Sequence, residues 1–259
     1  MTQDSGDRAV QDRVIRALAD ARYRASPAWR DYRLADPDLV ERYARFLARH
    51  FYYERIVQFF KYSRSLARVT GRAPEAVLKG DGFDLLLPSV VLGSRQTAQA
   101  VARLVVAHVA ASRAPIPYLK DLLRYEEAMM LVEAGARIWR DTGNGEAGNG
   151  KGEPPRTVEG TLLLDLQHDL PAVLTRLLEP WTEVPRAPER PTQLVVARSP
   201  HGRVAVARSD AGIAAVLRLA DGKRTLDQLA AGAGLPVGTL EATLQGLVEL
   251  GAVRFSTGS

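Results

Sequence analysis

The stretch DTGNGEAGNGKGEPPR, residues 141–156, decides how this chain can be divided. Glycine recurs at Gly143, Gly145, Gly148, Gly150 and Gly152, and Pro154 and Pro155 follow, with no large apolar side chain between them. Such a segment loses more conformational entropy on ordering than packing can return. A flexible linker is expected here. Gly150-Lys151 has neither the following Ser or Thr nor the helix that a phosphate loop needs, so no nucleotide site is read into the glycines.

On the N-terminal side the apolar residues recur at helical spacing. Residues 7–25 place Val10, Val14, Ile15 and Leu18 on one side. Asp36 before Pro37 is the cap-then-proline pattern that starts a helix, and the next one is expected to run to about Val69. Within it Tyr52, Ile56, Phe59 and Phe60 form an aromatic stripe suited to packing. Gly71 closes the segment, "FDLLLPSVVLG" reads as a buried helix–turn, and Ser94 caps a clean helix. "APIPYLKDLLRYEEAMMLVEAGARIW" adds another, with prolines only at its start. Residues 1–140 therefore read as an all-α domain.

Beyond the linker the period shortens. "TVEGTLLLDLQH", "TQLVVARS" and "GRVAVARS" read as strands, the last two joined by a tight turn at Pro200–Gly202. Three helices follow, "DAGIAAVLRLA", "TLDQLAAGAG" and "PVGTLEATLQGLVELGAV", with a capping box at Thr225 and Gln228 and turns at Gly222 and Gly234. Residues 157–259 then form a winged-helix-like module of three strands and three helices, and the whole chain is α+β.

Composition narrows the chemistry. There is no cysteine, which removes disulfides, thiolate catalysis and iron–sulfur clusters. The four histidines, His50, His108, His168 and His201, share no ligand spacing, and Asp165-x-x-His168 falls on a strand where i and i+3 diverge. No nucleophile elbow is present. The polar N-terminus lacks a signal-peptide core and no apolar run reaches membrane length, so a cytoplasmic protein without a membrane partner is expected. The net charge of +5 is concentrated between Glu41 and Arg72, where eight basic residues face two acidic ones. An anionic partner near that segment, or a solvated arginine face, accounts for it equally.

The run "YLKDLLRYEEAMM", residues 118–130, holds adjacent carboxylates at Glu126 and Glu127. Adjacent helical residues point about 100° apart and form no acid–base dyad. This is an amphipathic helix with Leu119, Leu122, Leu123, Met129 and Met130 on its apolar side. Its polar edge, with Tyr118, Asp121, Leu122, Tyr125 and Glu126, is expected to dock a partner or line a core.

Two resemblances bear on function. "GIAAVLRLADGKRTLDQLAAGAGLPVGTLEATLQGLVELGAV" resembles the peptide-recognition fold of the pyrroloquinoline-quinone peptide chaperones, the recognition element of ribosomal peptide (RiPP) pathways. The resemblance implies that a peptide adds as a strand to the sheet edge beside the third helix. Here that edge is Val204, Ala205, Val206 and Ala207, with Leu240, Thr243, Leu244 and Leu247 lining the groove. "FDLLLPSVVLGSRQTAQAVARLVVAHVAAS…PYLKDLLRYEEAMM" is similar to the helical domain of partner subunits of multinuclear non-haem iron oxidative enzymes. Pro117, Tyr118, Leu119, Asp121, Leu122, Arg124, Glu126 and Ala128 carry that likeness, nearest the 3-thiaglutamate-type branch.

Together the resemblances imply a non-catalytic accessory subunit. It would hold no cofactor of its own, form a heterodimer with an iron enzyme, and present the cysteine-containing region of a precursor peptide to it. The competing reading is a winged-helix nucleic-acid binder. Against it, "PVGTLEATLQGLVELGAV" has no Lys or Arg before Arg254 and carries Glu241, Gln245 and Glu249 where a recognition helix needs basic or amide groups.

Overall fold

A computed structural model of the chain describes residues 3–32, 36–135 and 154–255. The chain forms two compact units, Met1–Ile116 and Pro117–Ser259. The first is helical: α1 (Gln3–Ala19), α2 (Ala21–Ala25), α3 (Pro27–Arg30), α4 (Pro37–Phe59), α5 (Lys61–Ser65), α6 (Ala67–Thr70), α7 (Asp81–Leu86) and α8 (Arg95–Ala110), with 3-10 turns at Pro74–Lys79 and Leu87–Ser89. The second holds α9 (Leu119–Glu133), β1 (Pro155–Thr157), β2 (Leu162–Leu166), α10 (Pro171–Leu178), β3 (Thr192–Arg198), β4 (Val204–Ser209), α11 (Ala211–Leu219), α12 (Leu226–Ala233), α13 (Val237–Leu250) and β5 (Val253–Phe255).

Local hydrogen bonding sets the helix ends. Asp36 Oδ1 accepts from Leu39 N at 2.9 Å, and Ser94 Oγ accepts from Thr97 N at 3.2 Å, each satisfying an otherwise orphaned donor. Gly71 closes α6 at φ +66°, a left-handed conformation that only glycine adopts without penalty. Tyr52, Ile56, Phe59 and Phe60 are buried as their spacing predicts, and Tyr52 meets Phe83 edge-to-face at 6.3 Å. The expected apolar side of α1 is corrected: Val10 and Ile15 are exposed, and Ala17 is the buried position. In "FDLLLPSVVLG", Phe83, Leu87 and Val90 are buried while Leu85 faces solvent.

The domain boundary differs from the expected one at residue 140. It falls between Ile116 and Pro117, because α9 packs on the sheet of the second unit. Residues 141–153 of the expected linker lie outside the described residues, and Pro155 already belongs to β1.

In the second unit, β2, β3 and β4 form an antiparallel sheet in the order β2-β3-β4. Two features were not expected. The run "PAVLTRLL" forms α10 between β2 and β3, and β5 pairs with β1 in a separate two-stranded ribbon, Pro155 opposite Phe255. The module thus has five strands and four helices after α9 among the described residues.

The sheet is covered on both faces, so its central strand β3 is apolar almost throughout, with Leu194, Val195, Val196 and Ala197 all buried. Val195 and Ala197 pack with Leu217, Leu229, Leu240, Leu244 and Leu247 of α11, α12 and α13. Residues of the opposite pleat face α9: Arg198 Nη1 donates to Glu133 O at 2.7 Å, and its guanidinium lies 3.4 Å from the Glu133 carboxylate, capping the C-terminal end of α9. Each leucine removed from water this way contributes about 1.5–3 kcal/mol.

Candidate functional site

The β3–β4 hairpin sets the phase of the sheet edge. Ser199 N donates to Arg203 O and Gly202 N to Ser199 O, both at 2.8 Å, with Gly202 at φ +78°. Partners then alternate along the strands. Ala205, Ala207 and Ser209, opposite Ala197, Val195 and Gln193, exchange hydrogen bonds with β3. The backbone groups of Val204, Val206 and Arg208 consequently point away from β3. Among the described residues no strand pairs with β4 on that side.

The other edge is obstructed at its C-terminal end. By the same alternation, Leu163, Asp165 and the residue just past β2, Gln167, direct backbone groups away from β3. Arg124 Nη1 of α9 donates to Asp165 O at 2.7 Å. Asp121 Oδ2 accepts from Gln167 N at 2.8 Å and from His168 N at 3.0 Å, and lies 2.8 Å from His168 Nδ1. Two side chains of "YLKDLLRYEEAMM" therefore take the hydrogen bonds that a neighbouring strand would otherwise claim.

This settles the geometry of the expected docking residues. Tyr118, Asp121, Leu122, Tyr125 and Glu126 are all buried, none more than 7% exposed, so they are not a free surface for a partner. Tyr118 OH donates to Pro185 O at 2.7 Å, and burial pushes its phenol up to about 12. His168 has an acidic partner in Asp121. Forty-seven residues separate the two, and no spacing rule reaches that far.

The expected groove is corrected in the same way. Leu240, Leu244 and Leu247 lie in the core under β3, none above 4% exposed. They face inward because α13 packs its apolar stripe on the sheet. Thr243 is half-buried and its hydroxyl donates to Thr239 O at 2.8 Å. Val204, Ala205, Val206 and Ala207 are half-buried on the edge strand.

Sequence reasoning missed Asp169. Its buried carboxylate is held by Arg190 and by Arg208 of β4, tying the end of β2 to the edge strand. Burial pushes this carboxyl up, but the two guanidiniums outweigh it and hold it below the ordinary range. Also missed was a shallow cleft of about 500 Å³ along Glu179–Glu183, lined by Arg176, Trp181 and Pro185 as well.

Among the described residues, no cluster of three or more His, Asp or Glu side chains is arranged to hold a metal ion, and no helix is long and apolar enough to cross a membrane. In the basic segment, Arg45 is paired with Glu41 at 3.0 Å, Arg64 with Glu75 at 3.0 Å, and Arg49 with Asp84. On α13, Gln245 donates to Glu249 at 3.0 Å. Compared with known proteins, the chain matches no family model and no characterised sequence.

Proposed function

We propose that this chain is a non-catalytic accessory subunit. It binds a ribosomally made precursor peptide along β4 and presents it to a separate multinuclear iron oxidative enzyme. The observation that carries the reading is the inequality of the two sheet edges. The end of β2 is occupied by Arg124 and Asp121, which take Asp165 O and Gln167 N, while Val204, Val206 and Arg208 offer backbone donors and acceptors outward. An extended peptide satisfies such groups by adding a strand, and its alternate side chains supply selectivity. The half-buried Ala205 and Ala207 leave room for those side chains. The likeness of the C-terminal helices to the recognition element of RiPP pathways supports the same assignment. Iron belongs to the enzyme in this reading, and holding the peptide beside it raises the local substrate concentration.

The test is affinity purification of the tagged full chain from native lysate, with and without nuclease, followed by mass spectrometry and metal analysis. The expected result is a nuclease-resistant, iron-containing protein together with a cysteine-containing peptide. Val206→Pro removes an outward donor without breaking a bond to β3, so it should release the peptide and keep the iron protein. Recovery of nucleic acid alone, lost on nuclease treatment, overturns the proposal. So does full peptide retention by a folded Val206→Pro variant.

A further inference from the structure

The longest helix of the first unit, α4, has two apolar faces on opposite sides. Ala44, Ala48, Tyr52 and Phe59 form the buried one. Leu39, Tyr43, Phe46 and Tyr53 form the other, each at least 44% exposed. His50 completes that second face, giving spacings of four, three, four and three residues. At 100° per residue these five side chains fall within about 80° of one another, and their centre lies about 180° from the buried face. Their rings are mutually ordered: Tyr43 and Phe46 stack at 6.0 Å, and Phe46 and His50 at 6.1 Å with planes 2° apart.

A seam of this kind spans about 21 Å and has no partner among the described residues of its own unit. Exposed apolar surface in a contiguous stripe marks an interaction site, and four-three spacing is what a second helix needs to seat its side chains between these. Arg42 and Arg49 flank one side of this face, about 60–80° from its centre, whereas Arg45 lies about 120° away and pairs with Glu41. Arg42 is 68% exposed and 3.8 Å from Asp36, and Arg49 is 38% exposed and paired with Asp84. Exposed pairs of this type are worth little and exchange readily for an incoming carboxylate.

We infer that this face of α4 docks an amphipathic helix of another protein, one that carries carboxylates along the edge facing Arg42 and Arg49. Single-stranded nucleic acid fits less well. Leu39 has no ring to stack on a base, so the face is not a continuous stacking platform. A second copy packed antiparallel sets Arg42 against the other copy's Arg49, like charge on like. The inference rests on α4 alone and stands whether or not β4 takes a peptide.

The experiment uses the full chain and three dye-labelled probes read by fluorescence anisotropy. Two are synthetic amphipathic helices of about 21 residues. They have identical leucine seams and differ only in edge residues, glutamate in one and lysine in the other. The third is oligodeoxythymidine. The glutamate-edged helix should bind about tenfold or more tightly than the lysine-edged one. Tyr43→Ser with Phe46→Ser should weaken it about tenfold or more, and Arg42→Glu should remove the preference between the helices. All three positions are solvent-exposed, and circular dichroism confirms that the variants fold. Equal affinity for the two helices, or binding untouched by the serine variant, overturns the inference. Oligodeoxythymidine binding that the serine variant abolishes replaces it with a nucleic-acid platform. Self-association that the serine variant abolishes, seen by light scattering, replaces it with a homodimer seam.

Discussion

Asp121 and His168 stand 2.8 Å apart, and the same carboxylate oxygen takes two consecutive backbone N–H groups, those of Gln167 and His168. One side chain of α9 thus performs for the end of β2 what a cap performs for a helix. Asp121→Ala strands two buried donors at once, and should cost about 2–4 kcal/mol. Asp121→Asn should cost less, since its carbonyl still accepts. Urea unfolding of the two variants checks the order, and equal losses count against the clamp.

Tyr125 tests the corrected docking surface. It is buried, so Tyr125→Ala should destabilise the protein by about 3 kcal/mol and lower its melting temperature. A variant of native stability that has lost only a partner would restore the surface role.

Gly251 and Gly246 should respond in opposite directions to alanine. A Cβ on Gly251 meets Arg198 O at 2.1 Å, and its φ of +83° is already strained for any other residue. Gly251→Ala should therefore cost several kcal/mol. At Gly246, inside α13, a Cβ meets nothing within 4 Å, and alanine should stabilise by about 0.5–1 kcal/mol. Chemical denaturation midpoints read both.

The acid limb of stability should belong in part to Asp169. Its folded carboxyl titrates below the ordinary 3.8, so its contribution is present above that value and is lost as pH falls through the lower folded one. Asp169→Asn should lower stability at neutral pH and flatten the fall below pH 3.8. A parallel curve for variant and parent would remove Asp169 from the account.

At the alkaline end the sign is reversed. Burial pushes the phenols of Tyr52 and Tyr118 up to about 12 from 10.0, which favours the neutral ring in the fold. That stability is intact below 10.0 and disappears as pH rises towards 12. Ultraviolet titration of Tyr118→Phe should lose amplitude in the step at about 12.

What the sequence disclosed and what it concealed divide by range. Asp36, Ser94, Gly71 and the Thr225–Gln228 box were legible because each acts on backbone within four residues. The strands β3 and β4 were legible as short valine-rich runs on either side of a proline–glycine turn. The β1–β5 ribbon was not, since Pro155 and Phe255 lie far apart in sequence and each strand is only three residues long. The helix α10 hid because "PAVLTRLL" is too short for helical periodicity to separate it from a buried strand. Pro115 and Pro117 were read as a tolerated helix start, although the division between units lies beside them. Asp121 and Glu126 read as an edge that docks a partner or lines a core, and only their distant partners or their burial decide for the core. The second face of α4 was masked by the first, whose aromatics already explained the segment.

The unequal edges of the sheet also limit how copies of this chain can associate. Joining β4 of one copy to β2 of the next would be a head-to-tail contact, which builds a ring or, where the rotation does not close, a fibre. Arg124 and Asp121 occupy the acceptor end of that contact. β4 against β4 meets no such obstruction, and that two-fold pairing consumes both open edges and stops at two. Obstructing one side thus biases an exposed strand away from polymerisation and towards a capacity of one.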